Sequence, residues 1–173
     1  MRRLKKKRAL FLAFFFSAHA FGAYEVGDTV GEMCWKDVTE RTVCLSDAAN
    51  NIRVLLYNAG YCPPCNQEFA ELVPKVSQFN NQPITFISLS EAGWAGGLKP
   101  NTQFLQEWKA KHQIPFMVAA SPRDGGIAFG AEDIPNVAII DKQNKLVYKA
   151  SLPGAEMILL EVRRALASTR TDH

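Results

Sequence analysis

From Tyr24 to the C-terminus the sequence has no internal repeat, no low-complexity tract and no long linker. That excludes a solenoid or a string of modules and leaves one domain. Histidine is scarce: only His112 and His173 lie beyond the first 23 residues, and Cys34 and Cys44 are ten apart. The second close Cys/His pair that a structural zinc site uses is therefore missing. A basic excess is missing from the body of the chain too. Six of the 20 Lys and Arg (Arg2, Arg3, Lys5, Lys6, Lys7, Arg8) fall in the first eight residues, which leaves 14 basic against 17 acidic residues beyond them. The basic excess belongs to the start of the chain, and a nucleic-acid partner loses its support. With 11 Phe and 21% charged residues, the 173-residue chain is no disordered polyelectrolyte.

What the first residues do contain is a basic run, an apolar stretch from Ala9 to Ala18, and the small residues Ala18 and Ala20 in A-x-A spacing. This is the pattern of a secretory signal peptide, with cleavage after Ala20 or, as the alternative, after Ala23. An uncleaved membrane anchor is the competing reading. Ala9 to Ala23 is 15 residues, short of the roughly 20 that span a bilayer. The expected division is residues 1–23 as signal peptide and 24–173 as one domain, exported to the periplasm. Cysteines that reach an oxidising compartment pair unless something keeps them reduced.

The hydrophobic pattern predicts two short extended runs, Met33–Asp37 and Thr42–Ser46, joined as a hairpin. A buried strand follows over Ile52–Tyr57, broken by Asn58-Ala-Gly-Tyr61, and then a helix from Pro63 with an apolar stripe as far as Phe79. Further strands fall at Ile84–Leu89 and Phe116–Ala120, with a helix at Thr102–His112. Asn136–Ile140 and Lys145–Lys149 read as a second hairpin, and a last helix runs from Pro153 to Leu166. The fold class is α/β with a mixed sheet.

Cys62-Pro-Pro-Cys65 follows a buried strand and opens a helix. A thiol at a helix N-terminus meets the positive end of the dipole and unpaired N–H groups, which favour thiolate. Proline in the first turn gives up an N–H that has no helical partner anyway. Cys62 is then the exposed attacking sulfur and Cys65, one turn in, the resolving thiol.

This motif, with Glu68-Phe69 beyond it and Ile134-Pro135 ahead of a hydrophobic strand, resembles the thioredoxin superfamily. It is most similar to the exported TlpA/ResA-like thiol–disulfide reductases, which include the cytochrome c maturation thioredoxins. The resemblance covers about Val26 to Leu166, front hairpin included. It implies a thioredoxin fold with an N-terminal β-hairpin extension. Cys62 would be the nucleophile and Cys65 its resolving partner. Pro135 would be a cis-proline beside the disulfide, freeing the Ile134 backbone for a substrate strand. Glu68 would be a half-buried acid of raised pKa that exchanges protons with Cys65; the competing reading is a first-turn acid complementing the helix dipole. In two places the chain departs from that branch. Tyr61 stands where Trp usually precedes the first cysteine, and Ser90–Pro100 is a long glycine-rich connection whose Trp94 is a candidate lip for the partner.

If the front hairpin pairs residues whose numbers sum to 78, Cys34 stands opposite Cys44 on the less apolar side. A structural disulfide there closes a loop of 11 residues, worth about 2–3 kcal/mol in the chain-entropy model. A second redox relay and free thiols are the alternatives.

The expected function is a cofactor-free, monomeric protein disulfide reductase. Its expected partners are an oxidised substrate protein, through the resemblance apocytochrome c, and a membrane thiol-transfer electron donor. A disulfide-forming or isomerising enzyme is the first rival. A thioredoxin-fold copper-delivery module using Cys62 and Cys65 is the second.

Overall fold

The structure is a computed structural model that describes residues 23–95, 99–122, 125–130 and 133–171. The expected signal peptide lies, but for Ala23, outside the described residues.

Among the described residues, seven strands form one mixed sheet. They are β1 (Cys34–Asp37), β2 (Thr42–Cys44), β3 (Ile52–Ala59), β4 (Ile84–Ala92), β5 (Met117–Ala120), β6 (Asn136–Ile140) and β7 (Leu146–Ser151). The order across the sheet is β2-β1-β5-β4-β3-β6-β7. The central trio β5, β4 and β3 is parallel, and β1, β6 and β7 are antiparallel to their neighbours. This is a thioredoxin-like fold.

Strand alternation divides the core. Ile52, Val54 and Leu56 of β3 pack with side chains from the three helices α1 (Pro63–Leu72), α2 (Thr102–Lys111) and α3 (Ala155–Thr171). Phe69, Trp108 and Ile158 are completely buried there. Leu55 and Tyr57 point the other way, under Val30, Trp35, Val43 and Phe129 from the N-terminal segment, the front hairpin and a 3-10 turn. With both faces covered, β3 is buried along its whole length, which is why its sequence is mostly apolar, interrupted by the buried Arg53 and Asn58.

Four departures from the sequence reading have local causes. β3 continues through Asn58 because that amide is paired inside the sheet: it donates to Ser88 Oγ at 2.9 Å and accepts from Ser90 Oγ at 2.8 Å. β4 correspondingly runs on to Ala92. The helix from Pro63 ends at Leu72 and becomes a 3-10 segment, Val73–Phe79, where Pro74 removes a helical donor. The last helix starts at Ala155, because Gly154 holds a left-handed φ of 72°.

The front hairpin has the expected register, Cys34↔Cys44, Trp35↔Val43 and Lys36↔Thr42. Asp37 closes its connection, accepting from the Thr39 N–H and hydroxyl, both at 2.7 Å, and from Arg41 Nη2 at 2.8 Å. Burial pushes the Asp37 carboxyl up, but these bonds outweigh it and hold it well below the usual carboxylate range. Cys34 and Cys44 form a disulfide, Cα–Cα 4.1 Å. Among the described residues no helix is long and apolar enough to cross a membrane.

Candidate active site

The site lies where β3 hands over to α1, at the C-terminal end of the parallel strands. The passage is tight. A Cβ on Gly60 would stand 2.6 Å from a ring carbon of Phe104, 2.9 Å from one of Trp94 and 3.0 Å from the Gly93 carbonyl carbon. Only glycine fits, so Cys62 is delivered to the helix start in one position. Cys62 caps α1: its Sγ accepts from the Cys65 N–H at 3.1 Å. That N–H is one of the unpaired donors of the first turn, and it is placed to stabilise charge on the Cys62 sulfur.

Cys62 and Cys65 are joined, with Cα atoms 5.3 Å apart. The reading of Cys62 as exposed needs correction in this oxidised state. The residue is 5% exposed against 0% for Cys65, because the loop before β6 covers it: the Ile134 carbonyl oxygen lies 3.6 Å from Cys62 Sγ. The Ile134–Pro135 bond is cis. The cis Ile134–Pro135 unit thus sits beside Cys62 through the Ile134 carbonyl.

Glu68 is more deeply buried than the half-buried acid expected, at 4% exposure. One carboxylate oxygen accepts from the Gly154 N–H at 3.2 Å, and the other has no hydrogen-bond partner. Burial raises its pKa to about 7, the Gly154 bond lowers it, and nearby Glu71 adds to the rise. A carboxyl that changes charge near neutral pH, one turn along the helix from Cys65, is suited to holding or giving a proton there. Beside it opens a cavity of about 210 Å³ reaching Pro64, Pro135, Leu152 and Gly154.

Tyr61 is 53% exposed on the opposite flank and lines an open cavity of about 580 Å³. Trp94 packs edge-on against Phe104, and its indole N–H donates to Glu107 at 2.8 Å, leaving it 39% exposed. Its position behind Gly60 puts it at the edge of the site.

Three residues near the cysteines escaped the sequence reading: Asn66, Lys111 and His112. His112 closes α2, yet its Nε2 lies 3.2 Å from Asn66 Oδ1, and Lys111 Nζ donates to the same oxygen at 2.8 Å. Asn66 Nδ2 in turn donates to the Cys62 carbonyl at 2.8 Å. An asparagine in a helix and a Lys-His pair 45 residues later carry no sequence signal of meeting. Among the described residues, the one cluster with metal-ligand spacing is Glu32, Cys34 and Cys44, and its sulfurs are already bonded to each other.

Residues 26–149 match the AhpC/TSA family. The chain belongs to that family. This AhpC/TSA member is a redox enzyme with a thioredoxin-like fold. No curated protein matches it in sequence. Solved structures resemble it closely in shape. The thioredoxin domain of a thiol-disulfide oxidoreductase from Bacteroides vulgatus shares 13% identity at a TM-score of 0.69, covering 83% of this chain and 99% of that one. A structure described as a thiol:disulfide interchange protein, DsbE, from Chlorobium tepidum shares 21% at a TM-score of 0.68, with the same coverage of 83% and 99%. Peroxidoxin BcpB from Mycobacterium tuberculosis shares 15% at a TM-score of 0.66, covering 83% and 96%.

Proposed function

We propose that this AhpC/TSA protein is an exported reductase of oxidised protein thiols, of the TlpA/ResA-like kind. The observation that carries the proposal is Cys62 capping α1 with its sulfur on the Cys65 N–H, and Glu68 buried three residues further on. In the reduced enzyme the Cys62 thiolate attacks one sulfur of the substrate disulfide. A Cys62–substrate bond forms, the substrate S–S bond breaks, and one substrate thiolate leaves. Glu68 then takes the Cys65 proton, and Cys65 attacks the Cys62 sulfur. The mixed disulfide breaks, the second substrate thiolate leaves, and the enzyme holds the Cys62–Cys65 disulfide seen here. The substrate has gained two electrons, and its thiolates are protonated from Glu68 and from water.

The substrate follows from the resemblance: the paired haem-attachment cysteines of apocytochrome c in the periplasm, with a membrane thiol transporter returning the electrons. Pro135, the Ile134 backbone, Tyr61 and Trp94 would border the substrate, and the Cys34–Cys44 disulfide would be structural. Incubating the reduced enzyme with an oxidised C-x-x-C-H peptide tests this. Reduction of the peptide is expected, and Cys65→Ser should trap a mixed disulfide through Cys62. Turnover of hydrogen peroxide without disulfide exchange would replace the reading with a peroxidase, and stoichiometric copper binding without exchange would replace it with a metal carrier.

A further inference from the structure

The open cavity of about 580 Å³ beside Cys62 is lined by Tyr61, Pro63, Asn66, Ala70, Lys111 and His112. Its polar wall is oriented by one amide. Asn66 Nδ2 donates to the carbonyls of Gly60 and Cys62, at 3.3 and 2.8 Å, so Oδ1 must be the acceptor facing α2. Lys111 Nζ donates to Oδ1 at 2.8 Å, and His112 Nε2 reaches it at 3.2 Å. His112 is therefore the Nε2–H donor. Burial, and then the Lys111 ammonium, push its pKa below the usual value and keep it neutral. An ammonium and an imidazole N–H thus converge on a single uncharged oxygen.

Lys111 has no carboxylate partner within ion-pair distance among the described residues. Its ammonium lies 4.5 Å over the Trp94 ring. Glu107, one helical turn back, is occupied by the Trp94 indole N–H and the Gln103 amide. The other flank of α1 carries the opposite sign through the exposed Glu71, which lines the smaller cavity together with Glu68. The two sides of the Cys62 sulfur therefore differ in charge.

We infer that the Tyr61–Lys111 cavity is a specificity subsite that receives an acidic side chain of the substrate polypeptide, close in sequence to its reactive cysteine. A carboxylate is a stronger acceptor than the Asn66 amide for the two donors already converging there. The exposed Tyr61 ring, Pro63 and Ala70 supply the apolar floor on which a segment of chain lies. Asn66 joins the subsite to the Cys62 carbonyl, so an occupied subsite and the nucleophile share one hydrogen-bonded frame. The inference rests on the reductase reading above and adds to it which protein disulfides are preferred.

The test uses the reduced enzyme and three disulfide-bonded peptides that differ only in an acidic, neutral or basic residue flanking the reactive cysteine. kcat/KM is measured for each with the wild type, Lys111→Gln and Lys111→Glu. Each result is a ratio between peptides, so a loss of folded enzyme cancels. The wild type should favour the acidic over the basic peptide by roughly tenfold at low salt, as when an attraction across a partly exposed pair becomes a repulsion. Lys111→Gln should remove most of that ratio, and Lys111→Glu should invert it. A ratio near one in the wild type, or one unchanged by Lys111→Glu, overturns the subsite while reduction of the neutral peptide upholds the reductase. Failure of the wild type to reduce any of the peptides overturns both.

Discussion

Glu68 makes stability depend on pH in a direction opposite to that of an ordinary ion-paired acid. Its carboxyl is held at about 7 in the folded chain against 4.5 when free. Between those values the folded chain keeps a proton that the unfolded chain has released, so stability falls as the pH rises through that window. The difference between the two protonation states is worth about 3 kcal/mol. Glu68→Gln keeps the shape and the acceptor for the Gly154 N–H but cannot ionise. It also places an amide NH₂ where one carboxylate oxygen now lacks a partner, a cost of about 1–2 kcal/mol at any pH. Near pH 4 the variant should therefore be the less stable protein, and near pH 8 the more stable one. Urea unfolding of both proteins at the two pH values, disulfides intact, reads this directly, since every other titrating group cancels in the comparison. A stability difference that does not change between the two pH values would refute the placement of Glu68 as a buried, proton-holding acid.

The remaining predictions concern the frame around the site. Gly60→Ala forces a methyl into Phe104, Trp94 and the Gly93 backbone and should cost about 1–3 kcal/mol, with slower disulfide exchange because Cys62 shifts with it; unchanged melting and rate would contradict the packing. Asn58→Ala leaves Ser88 and Ser90 short of their partner inside the sheet and should destabilise by about 2–3 kcal/mol, read by urea titration. Replacing Cys34 and Cys44 together by Ser should cost about 2–3 kcal/mol while leaving reduction of a small disulfide intact. Loss of that activity would make the pair a redox relay.

Much of this was legible in the chain. The strand–CPPC–helix order fixed where the cysteines sit, because helix start, dipole and proline placement are local facts. The pairing of Cys34 with Cys44 was legible only once a register was assumed, with numbers summing to 78; alternation then placed Val43 and Leu45 on one face and the sulfurs on the other, and the structure has that register. What could not be read was satisfaction at a distance. Asn58 looks like a strand breaker until Ser88 and Ser90 are seen beside it. Glu68 looks half-buried until Gly154, 86 residues later, folds over it. Lys111 and His112 reach the cysteine frame through Asn66, and Lys111 also through the Trp94 ring, contacts that neither helix announces. Cys62 reads as exposed from its place at a helix N-terminus, yet Ile134 covers it in the oxidised state.

The central claim, that Cys62 and Cys65 serve as a reductant, is tested most directly by their reduction potential, obtained by equilibrating the enzyme against defined thiol buffers. A value near or below the roughly −270 mV of thioredoxin is the result this account expects. A value near the roughly −120 mV of a strong oxidant would contradict it, making the same fold and cysteines a source of disulfides.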